Sequence, residues 1–321
     1  MTERISLRFT SHGLFRALGQ AECNSDSIEM VTGAKIFVKE GAVVVKHQGG
    51  PEDERRLRLF IESLAELGSR GVELSRRDMS TLYSQCVDDE SCSAAIDVFA
   101  HKTVIGRAGK KLFHAKSASQ KRYYDAIQRN DVVFGIGPAG TGKTFIPIID
   151  AASKLRSGEI GKLILTRPIV EAEEKLGYLP GDMREKVDPY LRPLYDGLEQ
   201  VFTKDEIDKM ITIGVIEIAP LAFMRGRTLE DAYVILDEAQ NTTPGQMKLF
   251  LTRLGFKSKM VITGDITQVD LPKHVKSGLR QAMETLKGVD SVAIVHFENR
   301  DIVRHPIVQR IVERFDGNAE A

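Results

Sequence analysis

Residues 137 to 144 read Gly137-Pro138-Ala139-Gly140-Thr141-Gly142-Lys143-Thr144 and match G-x-x-x-x-G-K-[ST] at every fixed position. Glycines allow backbone N–H groups to turn inward and approach phosphate oxygens that side chains would fend off. In such a loop Lys143 supplies a mobile charge to the β- and γ-phosphates of a nucleotide, and the Thr144 hydroxyl ligates Mg²⁺. A second stretch, Tyr233-Val-Ile-Leu-Asp237-Glu238-Ala-Gln240, ends an apolar run in two acids. Asp237 can hold Mg²⁺, mostly through water, while Glu238 can polarise a water attacking the γ-phosphate. That pairing suits ATP hydrolysis better than phosphoryl transfer to a small acceptor. An acidic pair that merely opens a helix would not explain the company of the glycine loop.

Two further positions carry weaker signals. In Met260-Val-Ile-Thr-Gly264-Asp265-Ile-Thr-Gln268, Gln268 could sense the γ-phosphate by hydrogen bonding, with Asp265 in support; ordinary turn chemistry fits equally well. Gln120 precedes the first sheet strand, where an amide could read an adenine edge. A plain surface glutamine is the competing explanation.

These groups need a frame to hold them. Apolar runs at Val132–Ile136, Leu163–Thr166, Val215–Ile218, Tyr233–Leu236, Met260–Thr263 and Val292–Phe297 read as strands. Helical stretches lie between most of them, which implies crossover connections and a mainly parallel sheet buried on both faces. The glycine loop directly follows the first of these strands and precedes a helix starting near Lys143. A helix over about 119–129 leads in, and residues 316–321 should fray.

Residues 1–100 read as a small α+β module. Strands are expected at Ile5–Phe9, Ile28–Val31, Ile36–Lys39 and Ala42–His47. A helix opens at Pro51 and ends at Gly68, and a second covers Arg76–Gln85. The order is compatible with a KH-like RNA-binding module, but no G-x-x-G loop stands in the right place. A scaffold or docking role fits as well.

The chain has 321 residues with 45 basic and 45 acidic side chains. That length suits two domains, and the 42% hydrophobic, 28% charged composition excludes a disulfide scaffold, a collagen-like chain or a largely disordered one. The zero net charge conceals a pattern. Residues 101–122 hold seven Lys/Arg and no acid, whereas the flanks carry −4 and −3. This basic strap, read as a linker with a β-hairpin whose bend is glycine-rich, is either a solvated linker or a nucleic-acid contact. Cys23, Cys86 and Cys92 stand at no metal-ligand spacing and are expected as reduced thiols of a cytoplasmic protein. No signal peptide or membrane span is evident.

Together these residues resemble the PhoH family of bacterial P-loop ATPases, which are related to superfamily 1 helicases. The likeness covers roughly residues 100–315. Its most specific blocks are Glu171-Ala-Glu-Glu-Lys-Leu-Gly177-Tyr-Leu-Pro-Gly181-Asp, Lys186-Val-Asp-Pro189-Tyr-Leu-Arg192-Pro-Leu-Tyr, Ala222-Phe-Met-Arg225-Gly-Arg227-Thr and Asp301-Ile-Val-Arg304-His-Pro. Family members often have Glu-Ala-Gly-Glu at Glu171–Glu174 and Asn-Gln at Ser119-Gln120. The resemblance implies a RecA-like P-loop core over 123–315, Mg²⁺-dependent ATP hydrolysis, and coupling to binding or remodelling of single-stranded RNA. The N-terminal extension is similar to that of longer members paired with a YbeY-type endoribonuclease in ribosomal RNA maturation. A nucleotide-gated docking protein for a nuclease or ribosomal partner, without direct RNA contact, is the rival expectation. Superfamily 1 helicases close the ATP site between two cores, one of which inserts an arginine. Only one core fits here, so an arginine from a neighbouring subunit of a ring, expected as a hexamer, would complete the site. Arg304 is the first candidate and Arg300 the second. Within 171–212, Arg184, Lys186 and Arg192 lie near Tyr178, Tyr190 and Tyr195, a mixture that suits phosphates and bases or a subunit contact.

Overall fold

The computed structural model describes residues 3–20, 22–108, 111–169, 183–272 and 274–302. They fall into two compact units. The first comprises Met1–Thr103, Ala115–Lys121 and the described part of Arg300–Ala321; the second comprises Val104–His114 and Arg122–Asn299. The basic strap is thus divided between them.

The first unit runs β1 (Glu3–Phe9), α1 (His12–Leu18), α2 (Ser25–Thr32), β2 (Lys35–Lys39), β3 (Ala42–Gly49), α3 (Pro51–Ser69), α4 (Arg76–Gln85) and α5 (Asp89–His101). Its sheet is antiparallel in the order β1-β3-β2. Strand alternation sends Leu7, Val43 and Val45 into a core with Leu14, Ile28, Phe60, Ile61 and Leu64. The opposite face stays in solvent. Helix α3 begins at Pro51 as expected, and the Asp53 carboxylate accepts the Gly50 N–H at 2.8 Å.

Three expectations for this unit are corrected. Ile28–Val31 is part of helix α2, because local caps outweigh its β-branched residues. The Asn24 side chain accepts the Ser27 N–H at 2.9 Å, and Gly33 closes the other end in the left-handed conformation. Helices α1 and α5 occupy stretches with no helix expected: α1 is short and holds Gly13, and α5 is announced only by its Asp88 cap. Finally, Cys86 and Cys92 are joined by a disulfide, since the end of α4 and the start of α5 are brought together by a short turn. Cys23 alone is free, and burial pushes its thiol up to about 11.

The second unit opens with a hairpin, β4 (Val104–Ala108) and β5 (Lys111–His114), then resumes at Arg122, inside α6 (Ala118–Arg129), whose first residues belong to the first unit. The alternation that follows is β6 (Val132–Ile136), α7 (Phe145–Ser157), β7 (Lys162–Arg167), α8 (Met183–Glu199), α9 (Lys204–Thr212), β8 (Ile216–Pro220), β9 (Ala232–Leu236), α10 (Pro244–Leu251), β10 (Lys259–Gly264), α11 (Gly278–Thr285) and β11 (Val292–His296). Each of the six runs expected as strands is one. All pair in parallel, in the order β11-β6-β10-β9-β7-β8. Every residue of β6 and β9 is buried, as continuous apolar runs covered on both faces require. This is a RecA-like α/β core.

The basic hairpin lies on α7. The Arg107 N–H donates to Ser153 Oγ at 3.0 Å, and Phe113 meets Phe145 edge to face at 5.6 Å. Arg227, in one of the family-like blocks, binds both oxygens of Glu217 on β8 at 2.5 and 2.8 Å. That fork, joined by Lys162, holds the Glu217 carboxyl down to about 2, so the block's second arginine braces the sheet edge.

Candidate nucleotide-binding site

Strand order sets the site. β10 lies between β6 and β9, with Gly264 level with Ile136 and Ile262 level with Leu236. The glycine loop, Asp265 and Asp237 therefore leave neighbouring strands at one carboxyl edge, where open α/β sheets take their ligands. Gly140 and Gly142 both adopt φ +87°, a conformation that side-chain-bearing residues rarely take.

Asp237 is the hub of a hydroxyl cluster. Thr144 and Thr263 each donate to its Oδ1 at 2.7 Å, and its own N–H donates to the Thr166 carbonyl at 2.9 Å. Asp237 is buried, with 6% of the residue exposed. Lys143 folds back over its loop, its Nζ donating to the Pro138 carbonyl at 3.2 Å, and Thr141 Oγ1 donates to the same oxygen at 3.0 Å. Beneath, the Tyr123 hydroxyl donates to the Lys143 carbonyl at 3.1 Å. Burial, with the Asp237 charge adding, holds that phenol far above its ordinary range, so it stays a neutral donor.

Glu238 sits at φ +52°, in the left-handed region, where a side chain costs on the order of 1 kcal/mol. Its carboxylate remains partly open and is flanked by Arg167 at 3.7 Å and by the Gln240 amide, which donates to Oε2. The other end of Gln240 accepts the Asp265 N–H at 3.0 Å, linking the β9 and β10 strand ends. Asp265 turns Oδ1 onto Thr267, bonded at 2.9 and 2.6 Å. Its Oδ2 and Thr166 Oγ1 are buried without a hydrogen-bond partner among the described residues. Such unspent capacity beside a phosphate loop is what a polar ligand would use.

The expected residues divide accordingly. Thr144 and Asp237 are in contact, and Glu238 follows directly. Gln268 is exposed on the turn after β10, its N–H donating to the Asp265 carbonyl at 3.1 Å. Gln120 belongs to the first unit, where its Oε1 accepts the Lys116 N–H at 2.8 Å. Arg304 lies outside the described residues, and the Arg300 guanidinium donates to Ser91 at 2.6 Å. Of the basic and aromatic cluster, Tyr178 and the Arg184 and Lys186 side chains lie outside the described residues. Arg192 is exposed, while Leu194 and Leu198 of the same helix are fully buried.

Four contributors went unassigned in the sequence: Tyr123, Arg167, Gln240 and Thr263. Arg167 and Thr263 stand at carboxyl ends of apolar strands, a position that could have flagged them. Tyr123 had no such signal. Its ring packs under the loop strand at Gly135, where an added methyl would lie 2.6 Å from the ring carbons. Gly135→Ala is expected to lower unfolding free energy by about 1–3 kcal/mol through overpacking. A denaturant titration checks this, with an unchanged midpoint as the contrary result.

The fold, the loop and the acids at the carboxyl end of β9 define a P-loop NTPase-type α/β protein. A family model described as PhoH-like protein matches residues 113–316. The chain is 53% identical over 257 residues to a PhoH-like protein of Bacillus subtilis, covering 80% of each. It is 46% identical over 299 residues to a PhoH-like protein of Synechocystis, covering 93% of this chain and 90% of that one. Against Protein PhoH of Escherichia coli it is 45% identical over 203 residues, 63% of this chain and 57% of that one. The chain belongs to the PhoH-like family. Among the described residues no helix is long and apolar enough to cross a membrane.

Proposed function

We propose that the chain is an Mg²⁺-dependent ATPase that couples hydrolysis to the binding or remodelling of single-stranded RNA. The observation that carries the ATPase reading is the Thr144–Asp237–Thr263 cluster set beside Glu238. A hydroxyl and a carboxylate in contact are hard oxygen donors of the kind Mg²⁺ accepts while keeping several waters, so the residues present fit that ion. When bound there, Mg²⁺ would neutralise charge on the phosphate oxygens. The loop amides of 137–144 would cradle the phosphates, and Lys143 would swing from the Pro138 carbonyl to the β- and γ-oxygens. Glu238 would take the proton of the attacking water, held in position by Arg167 and Gln240. Gln268 would report the γ-phosphate to the turn after β10.

The RNA reading is supported by the basic strap, whose hairpin packs on the helix that starts behind the phosphate loop. In this reading copies of the chain assemble as a ring, and Arg304 of one copy completes the nucleotide site of its neighbour. The test is ATP turnover with and without single-stranded RNA. Stimulation is expected, and it should fall steeply between about 50 and 200 mM salt as counterions compete. Equal turnover with and without RNA would favour a nucleotide-gated docking protein instead.

A further inference from the structure

The solvent face of the first unit's sheet has a composition that its fold does not need. Cross-strand register places Ser6, Lys46 and Lys35 in one row and Arg8, Val44 and Phe37 in the next. Lys39 extends the face along β2. Side chains of a row share a face of the sheet, and like charges directly opposite one another destabilise a pair. Lys35 and Lys46 nevertheless face each other, both exposed, with no carboxylate paired to either among the described residues. The nearby carboxylate is Glu40 at the β2–β3 turn, 3.8 Å from both Arg8 and Lys39, all three largely in water. Phe37 stands in the middle of these cations with 47% of its surface exposed, and the Lys46 ammonium sits 5.5 Å from its ring centre. Ser6, Lys35, Phe37, Lys46 and Gln48 border an open depression of about 790 Å³.

A stabilising role would have put an acid or a neutral residue opposite Lys35. Uncompensated like charges around an exposed aromatic are instead the two elements of single-strand recognition: cations that track phosphates and a ring on which a base stacks. We propose that the open β1-β3-β2 face is a binding site for single-stranded RNA, with Phe37 as the stacking platform and Lys35, Lys46, Arg8 and Lys39 as the phosphate track. The inference rests on the RNA reading above and assigns that ligand a place on the first unit. An acidic protein segment would satisfy the cations but would leave the exposed ring without a purpose.

The test uses the full chain and fluorescence anisotropy with a labelled oligouridylate of about 12 nucleotides, within the usual span of one single-strand site. Phe37→Ala should weaken binding by about 5- to 150-fold. Lys35→Ala/Lys46→Ala should reduce the slope of log affinity against log salt by about 1.4, corresponding to two lost phosphate contacts. That double variant should melt no lower than the parent, because it removes a like-charge pair, and its RNA-free ATP turnover should be unchanged. If the parent binds and both variants bind as tightly with the same slope, the face is not the site, although the RNA reading stands. If the parent itself fails to bind, both fall. RNA binding that survives in the double variant while binding of a polyglutamate probe is lost would make the face a dock for acidic protein and overturn the proposal.

Discussion

Glu238→Gln should bind ATP like the parent and hydrolyse it about 10²- to 10⁴-fold more slowly, the usual worth of a positioned general base. The substitution keeps the shape of the side chain and an oxygen that can still accept from Gln240. It removes the capacity to take a proton. The fold should be indifferent, because what Glu238 gives to stability is a half-open pair with Arg167 at 3.7 Å, and exposed pairs contribute about 0–1 kcal/mol. Its left-handed backbone is retained by Asn241, whose N–H donates to the Glu238 carbonyl at 3.0 Å. A strained backbone at an acid on a strand end is a cost the fold carries where chemistry is expected. Rapid-quench phosphate release alongside equilibrium nucleotide binding separates the two effects. Parallel losses in binding and turnover would make Glu238 a positioning group rather than the base.

Lys143→Ala should lose nucleotide binding and turnover together, by about 10²- to 10³-fold, the scale of deleting one preorganised electrostatic partner of a reacting oxyanion. Without ligand the ammonium makes a hydrogen bond to the Pro138 carbonyl at 3.2 Å, so the variant should melt within about 0.5 kcal/mol of the parent. ATP at about 100 times the parent's dissociation constant should stabilise the parent by roughly 2.7 kcal/mol and the variant by less than about 0.5 kcal/mol. A thermal melt with and without Mg²⁺ and ATP reads this difference. Equal stabilisation of both proteins would place the nucleotide away from the glycine loop.

The core was legible because its signals are local and redundant. Val132–Ile136 followed by the glycine loop, and Tyr233–Leu236 followed by two acids, each state a strand, its burial and its carboxyl-end chemistry in one run. Strand order was not so written. Only the fold shows that β10 separates β6 from β9, and hence that Thr263 joins Thr144 on Asp237 while Gln240 reaches Asp265. Those contacts connect residues far apart in sequence, and no local pattern encodes them. In the first unit the same logic failed in the other direction. Ile28–Val31 has β-type composition, but Asn24 and Gly33 cap it as a helix, and a helix cap outweighs a four-residue propensity. The disulfide also escaped, because a separation of six positions says nothing of whether two helix ends meet. The net charge of zero says little, since it averages a basic sheet face and a basic hairpin against acidic helix starts such as Glu52, Asp53 and Glu54.

The central claim is that the Thr144–Asp237–Glu238 edge hydrolyses ATP with Mg²⁺. Single-turnover phosphate release by the parent chain and by Glu238→Gln, each with Mg²⁺ and with EDTA, tests it most directly. The account predicts release by the parent with Mg²⁺, a rate at least about 10²-fold lower in the variant, and none in EDTA for either. Release that persists in EDTA, or that is equal in parent and variant, would contradict it.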